Sequence, residues 1–359
     1  VGVIGCGIRA RELLGAIQQG AAVVAVCDCD TARRNDYLQR AGGQAGGVKA
    51  YADYNELLAD PRVELVVIGA PDHHHAPIAL AAMARKKDVY CEKPLTLTLA
   101  EGKQLIDAAR ANNTVFQTGS QQRTEFGHRF VEAVERVRAG MIGRVLTVHV
   151  GVGVSSRPCD LPEEPMEPGL DWDRWLGPAP KRPYNSVLSP RGVNDFYPNW
   201  RLYKEYSGGM MTDFGAHHFD IAQWGLNMDH TGPVAVAPPK DPKADRGATL
   251  TYADGTRIVH GGADGVTFIG ERGSLFVTRD RTVGNPESVL KDPLPKDAER
   301  LPRHKGQIAN WLQCVVTRER PICDAEVGAR SVACAHLCNQ AYWGRKPFGW
   351  DPVKWEAVV

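Results

Sequence analysis

Lys93, Asp213 and His217 are the side chains of this chain whose types and surroundings best suit proton transfer. Lys93 follows the short apolar run Asp88-Val89-Tyr90-Cys91 and Glu92, and Pro94 biases it toward an extended backbone at the end of a buried strand. Partial burial of an ammonium lowers its pKa toward the working pH, where it can take or give a proton. The plain alternative is a surface lysine in a strand-to-helix turn. Asp213 and His217 are four residues apart, which on a helix sets them on one face about 5–6 Å apart at their Cβ atoms. A carboxylate so placed can orient or charge an imidazole, giving an acid/base pair, and a structural hydrogen bond is the competing reading. Gly215 lies between them, at a cost of about 1 kcal/mol relative to alanine inside a helix, and implies close packing against that backbone. Asp220, three residues beyond His217, reads as structural.

The elements that must hold these groups begin at the N-terminus. Val1 to Ile4 opens an apolar strand, Gly5-Cys6-Gly7-Ile8-Arg9-Ala10 follows at once, and Leu13, Leu14 and Ile17 continue with helical period. Gly5 permits the tight turn, Gly7 lets backbone approach a pyrophosphate, and small Ala10 lets the helix settle on the strand. The free amides and positive dipole end of the helix then hold phosphate. A second apolar strand, Val23 to Cys27, ends in Asp28, 23 residues after Gly5, where an acid accepts from the adenosine ribose hydroxyls. That acid disfavours a 2'-phosphate, and no arginine or lysine occurs between Asp28 and Arg33, so NAD is expected over NADP.

Strands and helices go on alternating. A helix starts near Thr31, another is capped by Asp53, the strand Leu65 to Gly69 precedes a helix after Pro71, and Thr98 with Glu101 forms a capping box for the helix after Lys93. With a last strand over Thr114 to Thr118, the pattern predicts a doubly wound parallel sheet whose ligands bind at the carboxyl ends of its strands. Pro71-Asp72-His73-His74-His75 falls at such an end. Neighbouring residues on a helix point about 100° apart and cannot easily converge on one ion, so no metal is expected; His75 is read as facing the cofactor, with His73 or His74 exposed.

From about Gly119 the pattern changes, which divides the chain into a nucleotide-binding domain over residues 1–120 and a substrate-binding and oligomerisation domain over 121–359. Phe130, Val134 and Val137 make one helical face, and a long strand covers Arg144 to Val154. The hairpin signals at Asp254-Gly255 and Glu271-Arg272-Gly273 predict an α+β domain with a large, mostly antiparallel sheet. Two helices, His304 to Thr317 and Asp324 to about Trp343, close the chain. The stretch Ser155 to Asn199, with Trp172 and Trp175, is a long loop of the kind that covers a cleft or reaches a neighbouring subunit. The 43 basic and 42 acidic residues nearly cancel, so neither nucleic acid nor an anionic membrane is an expected partner. Nine cysteines, an odd number scattered through apolar runs, read as reduced core thiols, and no apolar run is long enough to span a bilayer.

Taken in order, Gly5-x-Gly7-x-x-Ala10, Pro71-x-x-x-His75, Glu92-Lys93-Pro94 and Gly209-x-x-x-Asp213-x-Gly215-x-His217-x-x-Asp220 resemble the glucose-fructose oxidoreductase / inositol dehydrogenase (Gfo/Idh/MocA) family over nearly the whole chain. The resemblance implies a Rossmann domain, a second domain whose open sheet forms dimers or tetramers, and NAD(P)-dependent chemistry at a hydroxyl of a sugar or polyol. By position it implies that Lys93, Asp213 and His217 are catalytic. Gly5, Gly7, Ile8, Arg9, Asp28, Pro71, His75, Glu92, Lys93 and Gln121 would bind the cofactor, Glu92 at the nicotinamide ribose, with the Lys93-Pro94 bond one the family often holds cis. Arg123, Asn199, Arg201 and His218 would line the substrate cleft. An NAD-dependent glycoside hydrolase, using transient oxidation at carbon 3, elimination and addition of water, fits the same residues, with His218 and the long loop serving the extra step. A non-catalytic NAD-binding sensor fits them less well. A cytoplasmic location is the default, with export behind a twin-arginine leader the alternative the family also allows.

Overall fold

The computed structural model describes residues 1–43 and 47–358, built on two sheets. The first contains six parallel strands: β1 (Gly2–Ile4), β2 (Ala25–Cys27), β3 (Lys49–Tyr51), β4 (Leu65–Ile68), β5 (Asp88–Cys91) and β6 (Phe116–Thr118), in the order β3-β2-β1-β4-β5-β6. The order reverses at β1, which opens a crevice beyond the carboxyl ends of β1 and β4, where ligands of such sheets sit. Helices α1 (Ile8–Gln18), α2 (Thr31–Arg40), α3 (Tyr54–Ala59), α4 (Asp72–Ala84) and α5 (Leu99–Asn112) connect the strands.

Their starting points follow from capping. Asp30 accepts from the amides of Ala32 and Arg33 at α2, Asp53 from Asn55 at α3, and Thr98 and Glu101 cap α5 reciprocally. Strand β3 carries no apolar alternation because it lies at the sheet edge with Lys49 and Ala50 exposed.

The second sheet has nine strands: β7 (Val145–Gly151), β8 (Ala235–Ala237), β9 (Thr249–Thr251), β10 (Arg257–His260), β11 (Gly265–Gly270), β12 (Gly273–Val277), β13 (Thr282–Asn285), β14 (Phe348–Asp351) and β15 (Glu356–Val358). Every neighbouring pair is antiparallel except β7 with β10. Both expected hairpins are present, the first turning at Gly255, whose φ of +85° suits glycine. The stretch Arg144 to Val154 is strand only over β7, and β8, β13 and the two final strands lie where the sequence pattern marks no element.

In chain order the remaining helices are α6 (Arg129–Arg138), α7 (Trp172–Leu176), α8 (Met210–Asp213), α9 (Gly215–Gly225), α10 (Ser288–Lys291), α11 (Gln307–Thr317) and α12 (Ala325–Gly344). Helices α6, α9 and α12 lie against the nine-stranded sheet, where Phe130, Val134, Phe219 and Leu337 share a core with Val148, Val150, Phe268 and Leu275. The last helices also reach the first sheet. Ile308, Trp311 and Cys314 of α11 are buried with Val3, Ile17 and Tyr90, and Ala325, Ala329 and Val332 of α12 with Leu105 and Phe116. All nine cysteines are free thiols. No helix among the described residues is long and apolar enough to cross a membrane.

The segment from Ser155 to Tyr206 has a small core of its own. Trp172 stacks on Trp175 with ring centroids 4.6 Å apart, Tyr184 stands edge-on to Trp172, and Leu170, Leu188 and Tyr206 complete it. The segment then docks on the first sheet's loops. Thr31 N donates to Gly169 O at 2.9 Å, Asp171 N to Cys29 O at 3.1 Å, Arg33 to Ser189 Oγ at 3.1 Å, and Tyr197 Oη to Glu12 at 2.9 Å. Thus it is a strap across the mouth of the crevice, tied to α1, to the loop after β2 and to the start of α2.

Candidate active site

The crevice opens into a cavity of about 1060 Å³, lined by the first sheet's loops and helix starts, by the strap, by α8 and α9 and by the turn between β12 and β13. At one end lies the glycine turn. Gly5 has φ +84°, and a Cβ there would meet Ala70 N at 2.5 Å, so the tight turn requires glycine. Gly7 differs: a Cβ there would meet nothing within 4 Å, because it borders the open cavity. Ile8 and Arg9 begin α1, whose N-terminus has no side-chain cap and points its free amides into this space. Asp28, at the end of β2, accepts from Cys6 N and Asp30 N, both at 2.8 Å, which fixes its carboxylate at the cavity wall. Burial pushes its pKa up, against the pull of Arg33 and those two amides. An unfilled space at Gly7, free helix amides and a fixed acid one strand away fit a dinucleotide.

Farther along, β5 delivers Glu92 and Lys93. Glu92 is buried, pairs with Arg9, whose Nε is 2.9 Å away, and accepts from Gln121 Nε2 at 2.8 Å, so three residues expected at the cofactor form one cluster. The Lys93-Pro94 bond is cis. His75 lies beneath it with Nδ1 2.7 Å from Pro94 O and Nε2 2.8 Å from Ala70 O. Both ring nitrogens therefore face backbone carbonyls rather than the cavity. His75 borders the cavity and also ties the loop after β4 to the Lys93 turn. His73 and His74 are not exposed as expected: His73 is buried, and Nε2 of each faces the carbonyl of Trp175, at 3.0 and 2.7 Å. They anchor the strap to α4, whose N-cap Pro71 also borders the cavity.

Lys93 Nζ donates to Asp213 Oδ1 at 2.6 Å and to Asp213 O at 3.1 Å. Arg201 approaches the other oxygen of the same carboxylate, Nε to Oδ2 at 3.5 Å, while its guanidinium stacks on Trp200 at 4.1 Å. Burial raises the Asp213 carboxyl, but Lys93 and Arg201 outweigh it and hold the group below the usual carboxylate range. The expected Asp213–His217 pair is thus replaced by Asp213–Lys93. Helices α8 and α9 meet at Phe214, so the two residues remain one turn apart, yet the carboxylate turns to the cations and His217 Nδ1 has no hydrogen-bond partner. His217 is buried and borders the cavity. Burial first, then Lys93 and Arg279, drive its pKa well below the ordinary imidazole value, so it is neutral at neutral pH. Gly215 does not mark a tight approach, since a Cβ there would meet Phe219 at an ordinary 3.4 Å. The required glycine is Gly209, with φ +81° and a Cβ that would strike Ser156 N at 2.4 Å.

Asn199 and Arg201 border the cavity, but two residues expected there do not. Arg123 is 1% exposed and forms paired bonds of 2.7–2.9 Å to Asp220 and Asp229, with its guanidinium 4.8 Å from the Trp224 ring. With a further bond to Ile322 O at 3.4 Å, its five donors are consumed inside the second domain. His218 turns the other way from His217, with Nδ1 on Gly151 O at 2.9 Å. In contrast, Asp72 had been overlooked beside the three histidines. It is buried at the cavity wall, accepts from Ser207 Oγ at 2.6 Å, and is pushed up to about 7 by burial and by Asp213. Arg279, in the turn between β12 and β13, also borders the cavity, and no sequence signal marked it.

Two family models match the chain. Residues 1–120 match the oxidoreductase family's NAD-binding Rossmann fold, and residues 134–359 match the family's C-terminal alpha/beta domain. The inositol 2-dehydrogenase of Salmonella typhimurium is 35% identical over 153 residues, 41% of this chain and 44% of that protein. A myo-inositol 2-dehydrogenase of Thermotoga maritima is 29% identical over 228 residues, 62% of this chain and 54% of that protein. The chain thus aligns with about half the length of these curated relatives. Among solved structures, the WlbA dehydrogenase of Bordetella pertussis in complex with NADH and UDP-GlcNAcA superimposes with a TM-score of 0.65 at 19% identity, covering 98% of each chain. With both halves matched in order, and with the glycine turn and the second sheet in place, the chain belongs to the Gfo/Idh/MocA family of oxidoreductases with an NAD-binding Rossmann fold.

Proposed function

We propose that this protein is an NAD-dependent dehydrogenase of a secondary hydroxyl on a sugar or polyol, with residues 1–120 holding the dinucleotide and 121–359 supplying most of the substrate cleft. The observation that carries the reading is the Lys93–Asp213 contact at 2.6 Å, with His217 bordering the same cavity as the glycine turn. The inositol dehydrogenases among its relatives support a polyol or sugar as substrate.

Bound NAD would supply the acceptor for the hydride leaving the carbinol carbon. The chain's own residues do the rest. Gly7, the α1 amides and Asp28 hold the nucleotide, while Glu92, Arg9 and Gln121 hold the end nearer Lys93. Neutral His217, which borders the cavity, accepts the hydroxyl proton. Lys93, held by Asp213, presents an ammonium that stabilises the developing alkoxide. Asp213, held ionised by Lys93 and Arg201, fixes the direction of that ammonium. The strap excludes water and orders the reacting groups, and such positioning supplies much of the rate in reactions of this kind.

The redox-neutral glycoside hydrolase loses His218 as a support, since that ring faces Gly151. The strap is the observation that still favours it, because a nucleotide tied under a cover suits a cycle that returns its hydride. Incubation with NAD and free sugars, then with chromogenic glycosides, separates the two. NADH accumulating with a free sugar supports the dehydrogenase; aglycone release with no net NADH overturns it. We also propose association through the second sheet, where His149, Thr267, Ile269 and Phe276 are half-buried and Val283 is exposed. Sedimentation showing a monomer at micromolar concentration would contradict that.

A further inference from the structure

Six arginines and lysines border the cavity, and five have carboxylate partners: Arg9 with Glu92, Arg33 with Asp30, Lys93 and Arg201 with Asp213, and Arg174 with Asp171. Arg279 is the exception. Its side chain forms no ion pair and no hydrogen bond among the described residues, and its Nε is buried without a partner. A guanidinium has five donors, and this half-buried one, with its Nε enclosed and unmatched, gains when an acceptor meets its remaining donors.

The group is nevertheless firmly placed. Its ring-like plane lies 4.6 Å from the Phe126 centroid and 4.8 Å from that of Phe214. The turn that carries it is closed by Thr278 N on Arg281 O at 2.9 Å, with Thr278 Oγ1 accepting from Asp280 N and Arg281 N, and Arg129 donates to the Arg279 carbonyl. Glu125, in the same cavity, and exposed Asp280 are the nearby acids, and neither forms an ion pair with it. Burial and the charge of Arg9 both work against its cationic form, a penalty that an incoming anion would offset. Phe214 precedes His217 by three residues, so Arg279 and His217 belong to one wall.

We propose that the substrate is an acidic carbohydrate, a sugar or polyol bearing a carboxylate, and that Arg279 receives this carboxylate while His217 receives the hydroxyl to be oxidised. This deepens the dehydrogenase reading and rests on it. Aromatic faces on the guanidinium leave its edge free, and a planar carboxylate meets that edge through two parallel hydrogen bonds.

The test is calorimetric titration of NADH-saturated protein with glucuronate, glucose, galacturonate, galactose and glucose 6-phosphate, with NADH binding measured separately. At least one uronate binds about 10- to 100-fold more tightly than its neutral partner, the scale of a charge-assisted contact. Arg279→Gln removes that preference while leaving NADH binding and the melting temperature unchanged, and Arg279→Lys keeps part of it. The proposal is overturned if no uronate outbinds its neutral partner, if glucose 6-phosphate is preferred, or if Arg279→Gln weakens NADH instead, which would assign the guanidinium to the cofactor's phosphates. Failure of the dehydrogenase reading is a separate result, namely no binding of NADH or no reduction of NAD by any sugar.

Discussion

The carboxylate of Asp213 faces Lys93, 2.6 Å away and 120 residues earlier in the chain, and not His217 one helical turn along. The two ions therefore act as one unit and the imidazole as another. Double-mutant kinetics separate them: kcat losses in Lys93→Met and Asp213→Asn overlap, each about 100-fold, and their combination costs little more than one alone. Asp213→Asn combined with His217→Asn is closer to multiplicative. The reverse pattern, overlap with His217 and independence from Lys93, would contradict the assigned pairing.

Asp72 gives a pH dependence of definite sign. Its folded pKa, pushed up to about 7, exceeds the ordinary unfolded value of about 4, so the folded chain binds the proton more tightly. Its favourable contribution is present below about pH 4 and is lost as pH rises to about 7, after which the difference is flat. Asp72→Asn keeps an acceptor for Ser207 and carries no charge. The variant is expected to gain in melting temperature over the parent between pH 5 and about 7.5. Parallel stability curves would show that Asp72 is ionised throughout.

Gly5 and Gly7 should fail in different ways when enlarged. Alanine at position 5 strains a backbone at φ +84° and strikes Ala70, so it lowers stability. The Cβ of a valine at position 7 meets no protein atom within 4 Å, so melting is expected to be retained and NAD affinity to fall by about tenfold or more as the space for pyrophosphate is filled. Equal NAD affinity in Gly7→Val would place the nucleotide elsewhere.

Arg123 should act on the fold and not on the substrate. Removing one partner from a buried charge network costs about 3–5 kcal/mol, so Arg123→Met lowers the denaturant midpoint sharply. A raised KM with unchanged stability would return it to the cleft.

These cases show what sequence spacing conveys. The glycine turn, Asp28 and the capping box were legible because each is local: the residues that decide it lie within one turn or one strand-helix unit. Helical spacing likewise placed Asp213 beside His217, but not the cations from β5 and the strap that outcompete the imidazole. Arg123 was misread because its partners, Asp220 and Asp229, are about a hundred residues away in sequence. Arg279 carries no motif at all, and only its lack of a partner in three dimensions marks it.

In the proposed reaction Lys93 serves the chemistry and not the binding of the nucleotide. The most direct measurement compares Lys93→Met with the parent in two readouts, the NAD dissociation constant and the rate of NADH formation with a sugar or polyol that the parent oxidises. The predicted result is unchanged NAD affinity with a rate lowered by about 100-fold or more. A variant that reduces NAD at the parental rate would contradict it.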